Sequence, residues 1–220
     1  MRLHNHSTRL PFLVLILLIA TQLVGCIAGE LIGAGHDRRT FGTIVDDQGI
    51  ELSATDKLYS TAEIKSTDRI KVVSVNGVVL LAGEISSETK KEFATEVVST
   101  IKNVRRVVNE LLITDTVASV GTRTSDRFIS SKVKTALLGA DIEGFDPSHV
   151  NVTTAHKVVY LQGLVTEEEG RVAADRASRV DGVEGVVKVF EYIEFIDELP
   201  PEPPETETSG SSDNAEASTG

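Results

Sequence analysis

The sequence predicts an α+β fold made of two tandem units, each with the element order helix, strand, strand, helix, strand. The first observation is a repeated strand: residues 78–85 and 158–165 are β-branched, apolar runs of strand length with a glycine at the sixth position. The second is that a helical pattern and then a further β-branched run follow each of these strands at nearly the same offset. Two copies are too few for a solenoid, so they indicate two like domains.

Two glycines, Gly83 and Gly163, interrupt the repeated strands at equivalent positions. A glycine inside a strand marks a bulge or a close backbone approach, because a Cβ would collide there. We expect both to be structural and to let the strand meet a helix closely. The dipeptides at 76–77 and 156–157 are predicted hairpin turns, of which Asn-Gly is the stronger signal and His-Lys depends on the repeat.

Apolar residues at helical spacing predict two helices in each unit. In the first unit the pattern predicts a helix over residues 47–64, capped by Asp46 or Asp47, with a core-facing stripe that includes Leu52. In the second unit it predicts a helix from Ser125 to Leu138. The buried stripe predicted for this helix consists of Ile129, Val133, Ala136 and Leu137. Packing both helices of a unit on one face of a three-stranded sheet buries these stripes.

The second helix of the second unit opens with a capping box, in which Thr166 and Glu169 satisfy each other's backbone amides. Each predicted apolar face finds a partner inside its own copy. We therefore expect residues 124–196 to fold without the first unit.

The N-terminus is predicted to be a lipoprotein signal peptide. Residues 1–25 carry two arginines, no acid and a short apolar core, as a secretory signal does. The sequence at 23–26 resembles a bacterial lipobox, so Cys26, the only cysteine, is the expected lipidation site. The remaining divisions predicted are a flexible tether (26–42), a first domain (43–113), a linker (114–124), a second domain (125–196) and a disordered acidic tail (197–220).

The charge distribution argues against a nucleic-acid binder. The chain has 22 Lys and Arg against 33 Asp and Glu, and residues 191–220 hold nine acids and no base. The folded part is therefore nearly balanced, whereas a nucleic-acid binder shows a basic excess. Catalysis also finds little support, because Cys26 is used for lipidation and the histidines lack zinc spacing. His149 or His156 could act as a base beside a serine, but an ordinary surface histidine is the favoured interpretation. We expect no enzymatic activity, no cofactor and no metal.

Several motifs resemble the BON domain, and the resemblance covers about residues 38–196. The segments that carry it include Phe41-Gly42-Thr43, Val45-Asp46-Asp47, Gly163-Leu164-Val165-Thr166-Glu167 and Ala173-Ala174-Asp175. The resemblance implies two tandem BON domains, exposure to the periplasm, anchoring in the outer membrane and a role in envelope integrity. It also implies binding of an anionic phospholipid membrane through the second domain.

The first helix of the second domain carries the candidate site. Phe128 lies one residue before the buried stripe, so it points about a quarter turn away from its centre, and Ser131 and Lys132 are its polar neighbours one turn later. With Arg127 and Lys134 nearby, an aromatic on a basic helix suits a membrane interface. On spacing alone, packing of Phe128 at the domain margin is an equal alternative. The resemblance favours lipid binding, because the best-known family members carry a tryptophan here.

Two other function classes are compatible with the sequence. One is a periplasmic stress or chaperone-like protein, as soluble dual-BON relatives are, although a lipidated Cys26 argues against a freely soluble form. The other is an interaction module for other envelope proteins, with the groove between the domains or the acidic tail as the contact. The sequence carries no signal for an oligomeric state.

Overall fold

The computed structural model describes residues 37–116, 118–140 and 145–194. The signal peptide, Cys26, most of the tether and the acidic tail lie outside the described residues. The α-β-β-α-β order predicted for both units is confirmed. The elements are α1 (Phe41–Tyr59), β1 (Arg69–Val75), β2 (Val78–Ile85), α2 (Glu88–Ser99), β3 (Arg106–Ile113), α3 (Val120–Leu138), a 3-10 turn (Pro147–His149), β4 (Val150–Ala155), β5 (Val158–Val165), α4 (Glu167–Ser178) and β6 (Gly185–Tyr192).

Each unit is a three-stranded sheet with its helices on one face. The repeated strand is central: β2 runs antiparallel to β1 and parallel to β3, and β5 has the same relation to β4 and β6. In the first unit, Val79, Leu81 and Ile85 of the central strand join one core with buried residues of α1 and α2. Val159, Leu161 and Val165 do the same beneath α3 and α4.

The other faces of the two sheets pack against each other. Leu80 and Ala82 of β2 are 0% exposed and form a cluster with Ala155 and Tyr160 of the second unit. The molecule is therefore four-layered: helices, sheet, sheet, helices. The expectation that every apolar face finds its partner inside its own copy is wrong. The reason is that the central strands are continuous apolar runs without polar alternation, which is the pattern of a strand buried on both faces.

Polar groups also bridge the two sheets. The ammonium of Lys71 donates to the backbone carbonyl of Thr154 at 2.6 Å, and burial lowers the pKa of this lysine. The imidazole Nε2 of His156 lies 2.6 Å from Oε1 of Glu84. The buried amide of Gln162 donates to two backbone carbonyls of the first unit at 3.3 and 3.4 Å. These contacts fix the register between the sheets as well as their apposition.

Both long helices begin earlier than their predicted starts. The helix α1 begins at Phe41 with Thr40 as its cap, and α3 begins at Val120 with Ser119 as its cap. Leu52, predicted to be buried, is 73% exposed, because it lies about 120° around the helix from the buried Leu58. The buried side of α1 consists of Asp47, Ile50, Ala54 and Leu58.

Asp47, one of the two caps predicted for α1, has a different role, as has its counterpart Asp126 in α3. Asp47 is buried, and its carboxylate accepts from both backbone amides of the turn at 76–77, at 2.7 and 2.8 Å. Asp126 does the same for the turn at 156–157, at 3.1 and 2.9 Å. All four turn residues have φ between 49° and 72°, which suits the tight two-residue hairpin that the sequence predicts. The two hairpins are confirmed, and each is held by a helix carboxylate.

The close approach expected at the strand glycines is to a neighbouring strand segment rather than to a helix. A Cβ at Gly83 would lie 2.1 Å from the carbonyl oxygen of Arg69, and one at Gly163 would lie 2.0 Å from that of His149. Gly83 also has φ +124°, which side chains rarely adopt. The prediction of a helix as the partner is wrong because both glycines sit opposite the start of the antiparallel edge strand.

An ion pair ties the end of the tether, just before the first domain, to the second domain. Arg38 makes a two-pronged contact with Glu169, at 2.7 and 2.8 Å, and also donates to the carbonyl of Leu164 at 3.0 Å. The predicted capping box is confirmed, since Glu169 also accepts from the backbone amide of Thr166 at 2.7 Å. Burial opposes ionisation of Glu169, but the bonds from Arg38 and Thr166 outweigh it, so its pKa lies below the usual 4.5. We call this pair the Arg38–Glu169 clasp.

Candidate functional site

The outer face of α3 exposes three large apolar residues. The buried residues on its inner side are Asp126, Ile129, Val133 and Leu137. They confirm the predicted stripe except for Ala136, which is half-buried. On the opposite side, Val120 is 71%, Phe128 63% and Leu138 72% exposed. Val120 and Leu138 are 18 residues apart, which is five helical turns, so they point in the same direction. The apolar residues therefore run along the whole solvent side of the helix.

The predicted site residues lie together on this face. Lys132 Nζ is 4.9 Å from the centre of the Phe128 ring and 3.3 Å from the carboxylate of Asp181. Arg127, Ser131 and Lys134 are exposed. At 100° per residue, Arg127 and Lys134 lie on one side of the Val120–Leu138 line and Lys132 on the other. The face thus consists of apolar side chains with bases on both flanks, and Phe128 is not packed at the domain margin.

The outer face of α3 carries no acid. The only acidic residue within this helix is Asp126, which is 4% exposed and occupied by the hairpin amides. The surface potential of the face is therefore set by the bases, with Asp181 beside Lys132 as the nearest counter-charge among the described contacts. A surface of this kind attracts anions over roughly a Debye length of about 8 Å at physiological ionic strength.

The equivalent helix α1 offers an internal comparison. The four buried positions of α3 each follow those of α1 by 79 residues, which aligns the two helices without ambiguity. The outer face of α1 exposes Phe41 by 70%, Val45 by 52% and Leu52 by 73%. At the positions of the α3 bases it has Gln48, Ser53 and Thr55. The same scaffold thus presents one apolar face with bases and one apolar face without them.

Sequence reasoning missed the face of α1 because the predicted core stripe included Leu52 and left out Ile50 and Ala54. A signal for the buried side of α1 was present: Asp47 and Asp126 stand at nearly the same offset within the repeat, and each precedes its hairpin by about 30 residues. Sequence reasoning also missed the clasp, since its two members are 131 residues apart.

A groove at the C-terminal end of α3 shows where the N-terminal segment meets the second domain. Its volume is about 390 Å³, and its lining includes Arg39, Lys134, Leu138 and Val150. The guanidinium of Arg39 is already held by two carboxylates, those of Asp37 at 2.7 Å and Asp47 at 2.9 Å. Residues 37–39 therefore enter the folded body beside the end of α3.

The described residues contain neither a cluster of metal ligands nor a membrane-spanning helix. In the part of the chain that the structure describes, no group of three or more His, Cys, Asp or Glu side chains could hold a metal ion. Among the same residues, no helix combines the length and apolarity needed to cross a bilayer. The exposed face of α3 is thus the described feature with the clearest chemistry for binding.

The fold and this face define a tandem α+β protein whose two domains share a sheet-to-sheet core and differ in their outer helices. The BON domain model matches residues 46–115 and 125–194. The chain therefore belongs to the BON-domain family, with two copies of the domain.

Three named relatives match most of this chain. The outer membrane lipoprotein DolP of Haemophilus influenzae is 32% identical over 166 residues, which cover 72% of this chain and 83% of that protein. Osmotically-inducible protein Y of Escherichia coli is 34% identical over 155 residues, covering 70% of this chain and 73% of that protein. A 21 kDa hemolysin of Actinobacillus pleuropneumoniae is 31% identical over 145 residues, or 66% and 73%. The chain is accordingly an outer-membrane lipoprotein of the dual-BON type.

Proposed function

We propose that this lipoprotein binds anionic phospholipid membranes through the outer face of α3 and thereby supports the integrity of the envelope, without enzymatic activity. In this proposal Cys26 carries the acyl anchor and the face consists of Phe128 with Arg127, Ser131, Lys132 and Lys134. The observation that carries the proposal is Phe128, 63% exposed within an acid-free helix face flanked by bases.

The chemistry of the face matches an anionic bilayer surface. An aromatic ring enters the boundary between headgroups and acyl chains, while Lys and Arg side chains meet lipid phosphates. Each base near such a surface contributes about 1 kcal/mol, and salt screens the contribution. The outer face of α1 has no base at the equivalent positions and exposes the acid Asp56, so α3 is the helix that prefers anionic lipid.

The anchor and the face have separate roles. Acyl chains contribute about 0.8 kcal/mol per buried CH₂, far more in total than one aromatic ring and a few bases. The outer face of α3 therefore decides how the protein lies on the membrane rather than whether it is attached. Phe128 sets the depth of the helix, and the bases set the preference for lipid charge.

The layered fold and the Arg38–Glu169 clasp favour the same orientation. Because α1 and α3 lie on opposite outer sides of the four layers, contact of α3 with the membrane turns α1 toward the periplasm. The clasp holds the entry of the tether on the second domain. The eleven residue spacings from Cys26 to Asp37 reach at most about 40 Å, so the second domain stays near the bilayer.

The proposal is tested with the chain from residue 27 onward, which lacks both signal peptide and acyl group. It is expected to sediment with vesicles of phosphatidylcholine and phosphatidylglycerol and not with phosphatidylcholine alone. Phe128→Glu should abolish this binding, because it removes the ring and adds a negative charge to the face. Leu52→Glu on α1 is the matched control, since it adds the same charge at a residue that is 73% exposed.

The thermal unfolding midpoint of each variant separates a lost site from a lost fold. Both midpoints should match the parent, because neither side chain is part of a core cluster. Wild-type binding by Phe128→Glu, or equal loss in both variants, would contradict the assignment to α3.

One observation favours the alternative function, an interaction module for other envelope proteins. The outer face of α1 exposes three large apolar side chains and has no base at the positions of the α3 bases, which suits a protein surface better than an anionic bilayer. The same control variant tests it: Leu52→Glu in the lipidated protein would impair envelope integrity while vesicle binding stays intact. An unaltered envelope in that strain would remove this alternative.

A further inference from the structure

We infer that the acidic C-terminal segment, residues 195–220, docks on the outer face of α3 and competes there with anionic lipid. The competition rests on the proposed function, whereas the contact itself does not. The segment and the face are complementary in charge, in apolar content and in position along the fold.

The C-terminal segment carries only negative charges, and the outer face of α3 carries only positive ones. Residues 195–220 contain seven acids and no Lys, Arg or His. The outer face of α3 contains Arg127, Lys132 and Lys134 and no acid. Opposite charges on one chain attract without the translational cost of bringing two molecules together.

The beginning of the segment also contains apolar side chains. Phe195, Ile196 and Leu199 flank the acids Asp197 and Glu198 in the first five residues. On the facing side, Leu138 is 72% and Phe128 63% exposed. Burial of these apolar side chains against one another removes them from water and supplies the non-electrostatic part of the binding free energy.

The segment leaves the fold at the matching end of α3. The last strand, β6, ends at Tyr192, which pairs with Val165 at the end of β5. Val150, the first residue of β4, lies at this same end of the sheet and lines the groove with Lys134 and Leu138. Since β4 and β6 flank β5, only about 10 Å separates them across the sheet.

The length of the segment is sufficient for it to follow the helix. Its 26 residues would span about 80 Å at the polyproline rise of about 3.1 Å per residue. The 19 residues of α3 are about 28 Å long. Acids along the segment can therefore reach Lys134 first and Arg127 last.

The consequence is a weaker apparent affinity for anionic membranes. Lipid phosphate and tail carboxylates use the same bases, so one excludes the other. At an effective tail concentration of about 1 mM, a tail contact with Kd of about 0.3 mM would weaken lipid binding about fourfold. High salt screens both interactions, so the difference is measured at low ionic strength.

The first experiment compares residues 27–220 with residues 27–194 on vesicles of phosphatidylcholine and phosphatidylglycerol. We expect the shorter chain to bind about fourfold more tightly. A third variant with Phe195, Ile196 and Leu199 changed to Ser keeps all seven acids. It should also bind more tightly than the full chain, because docking is weakened. Equal affinity of this variant and the full chain would show general charge repulsion from the vesicle and overturn docking.

The second experiment needs no lipid. A peptide of residues 195–220 is titrated into residues 27–194, and amide resonances are followed by NMR. Docking predicts shifts along α3 near Phe128 and Lys134, none near Leu52, and their loss in Lys132→Glu/Lys134→Glu. Absence of shifts on α3 overturns the inference. If residues 27–194 bind no anionic vesicle, the proposed function fails, and this titration still decides the contact.

Discussion

Replacement of Leu80 by alanine should destabilise both domains together. Leu80 lies in β2 of the first domain, is 0% exposed and packs with Ala155 and Tyr160 of the second. Truncation of a fully buried leucine removes its transfer energy and leaves a cavity, at a cost of about 3 kcal/mol. Because this cavity opens between the sheets, neither domain can relax around it alone.

The expected shift in the thermal midpoint follows from the size of the cooperative unit. For a domain of this size, 1 kcal/mol shifts the midpoint by about 2–4 °C, so Leu80→Ala should lower it by about 6–12 °C. Differential scanning calorimetry should show one transition, with NMR amide signals of both domains lost at the same temperature. Leu112→Ala is the control, since Leu112 is 47% exposed and should change the midpoint by far less.

Two separate transitions, with the second domain's midpoint unchanged, would refute a shared core. The same reasoning replaces the expectation that residues 124–196 fold alone. That fragment would expose Ala155 and Tyr160, together with the partly buried Val158 and Val187 beside them.

The clasp and the strand glycine give two further predictions. The pKa of Glu169 is depressed in the fold, so the ionised carboxylate stabilises the folded protein above about pH 4.5, and this contribution is lost as pH falls through the folded pKa. Arg38→Met should therefore lower the free energy of unfolding by about 3 kcal/mol at pH 7 and by progressively less in acid, as measured by urea unfolding across pH. An equal cost at all pH values would contradict the clasp. Gly163→Ala should lower the free energy of unfolding by about 2 kcal/mol or more, because the new Cβ would lie 2.0 Å from the His149 carbonyl oxygen. Gly185→Ala is the control and should be tolerated, since its nearest neighbours are at 3.8 Å. Equal stability of the two variants in the same assay would count against this packing.

Local signals predicted local structure correctly. The bounds of β2 and β5 match the apolar runs, because a continuous β-branched run between turn residues has few alternatives. The capping box at Thr166 was readable for the same reason. The helix starts were not, since several cap residues compete: Thr40 with Asp46 and Asp47 in one copy, and Ser119 with Ser125 in the other.

Long-range features could not be read from periodicity. A continuous apolar strand indicates that both of its faces are buried. Only the assembled fold shows that the second face is covered by the sheet of the other domain. The exposure of Phe128 was predictable because its position follows from the buried Ile129 next to it. The exposure of Leu52 was missed, since the predicted stripe left out Ile50 and Ala54, which define the buried side of α1.

The most direct test of membrane contact by α3 is the depth of single labelled positions. Cys26 is the only cysteine, so the chain from residue 27 onward accepts one new cysteine for labelling with an environment-sensitive fluorophore. With anionic vesicles, a label at 128 should shift to the blue and be quenched by bromine-labelled acyl chains, while a label at 52 should do neither. A label at 52 that enters the bilayer, or one at 128 that stays in water while the protein is bound, would contradict the account.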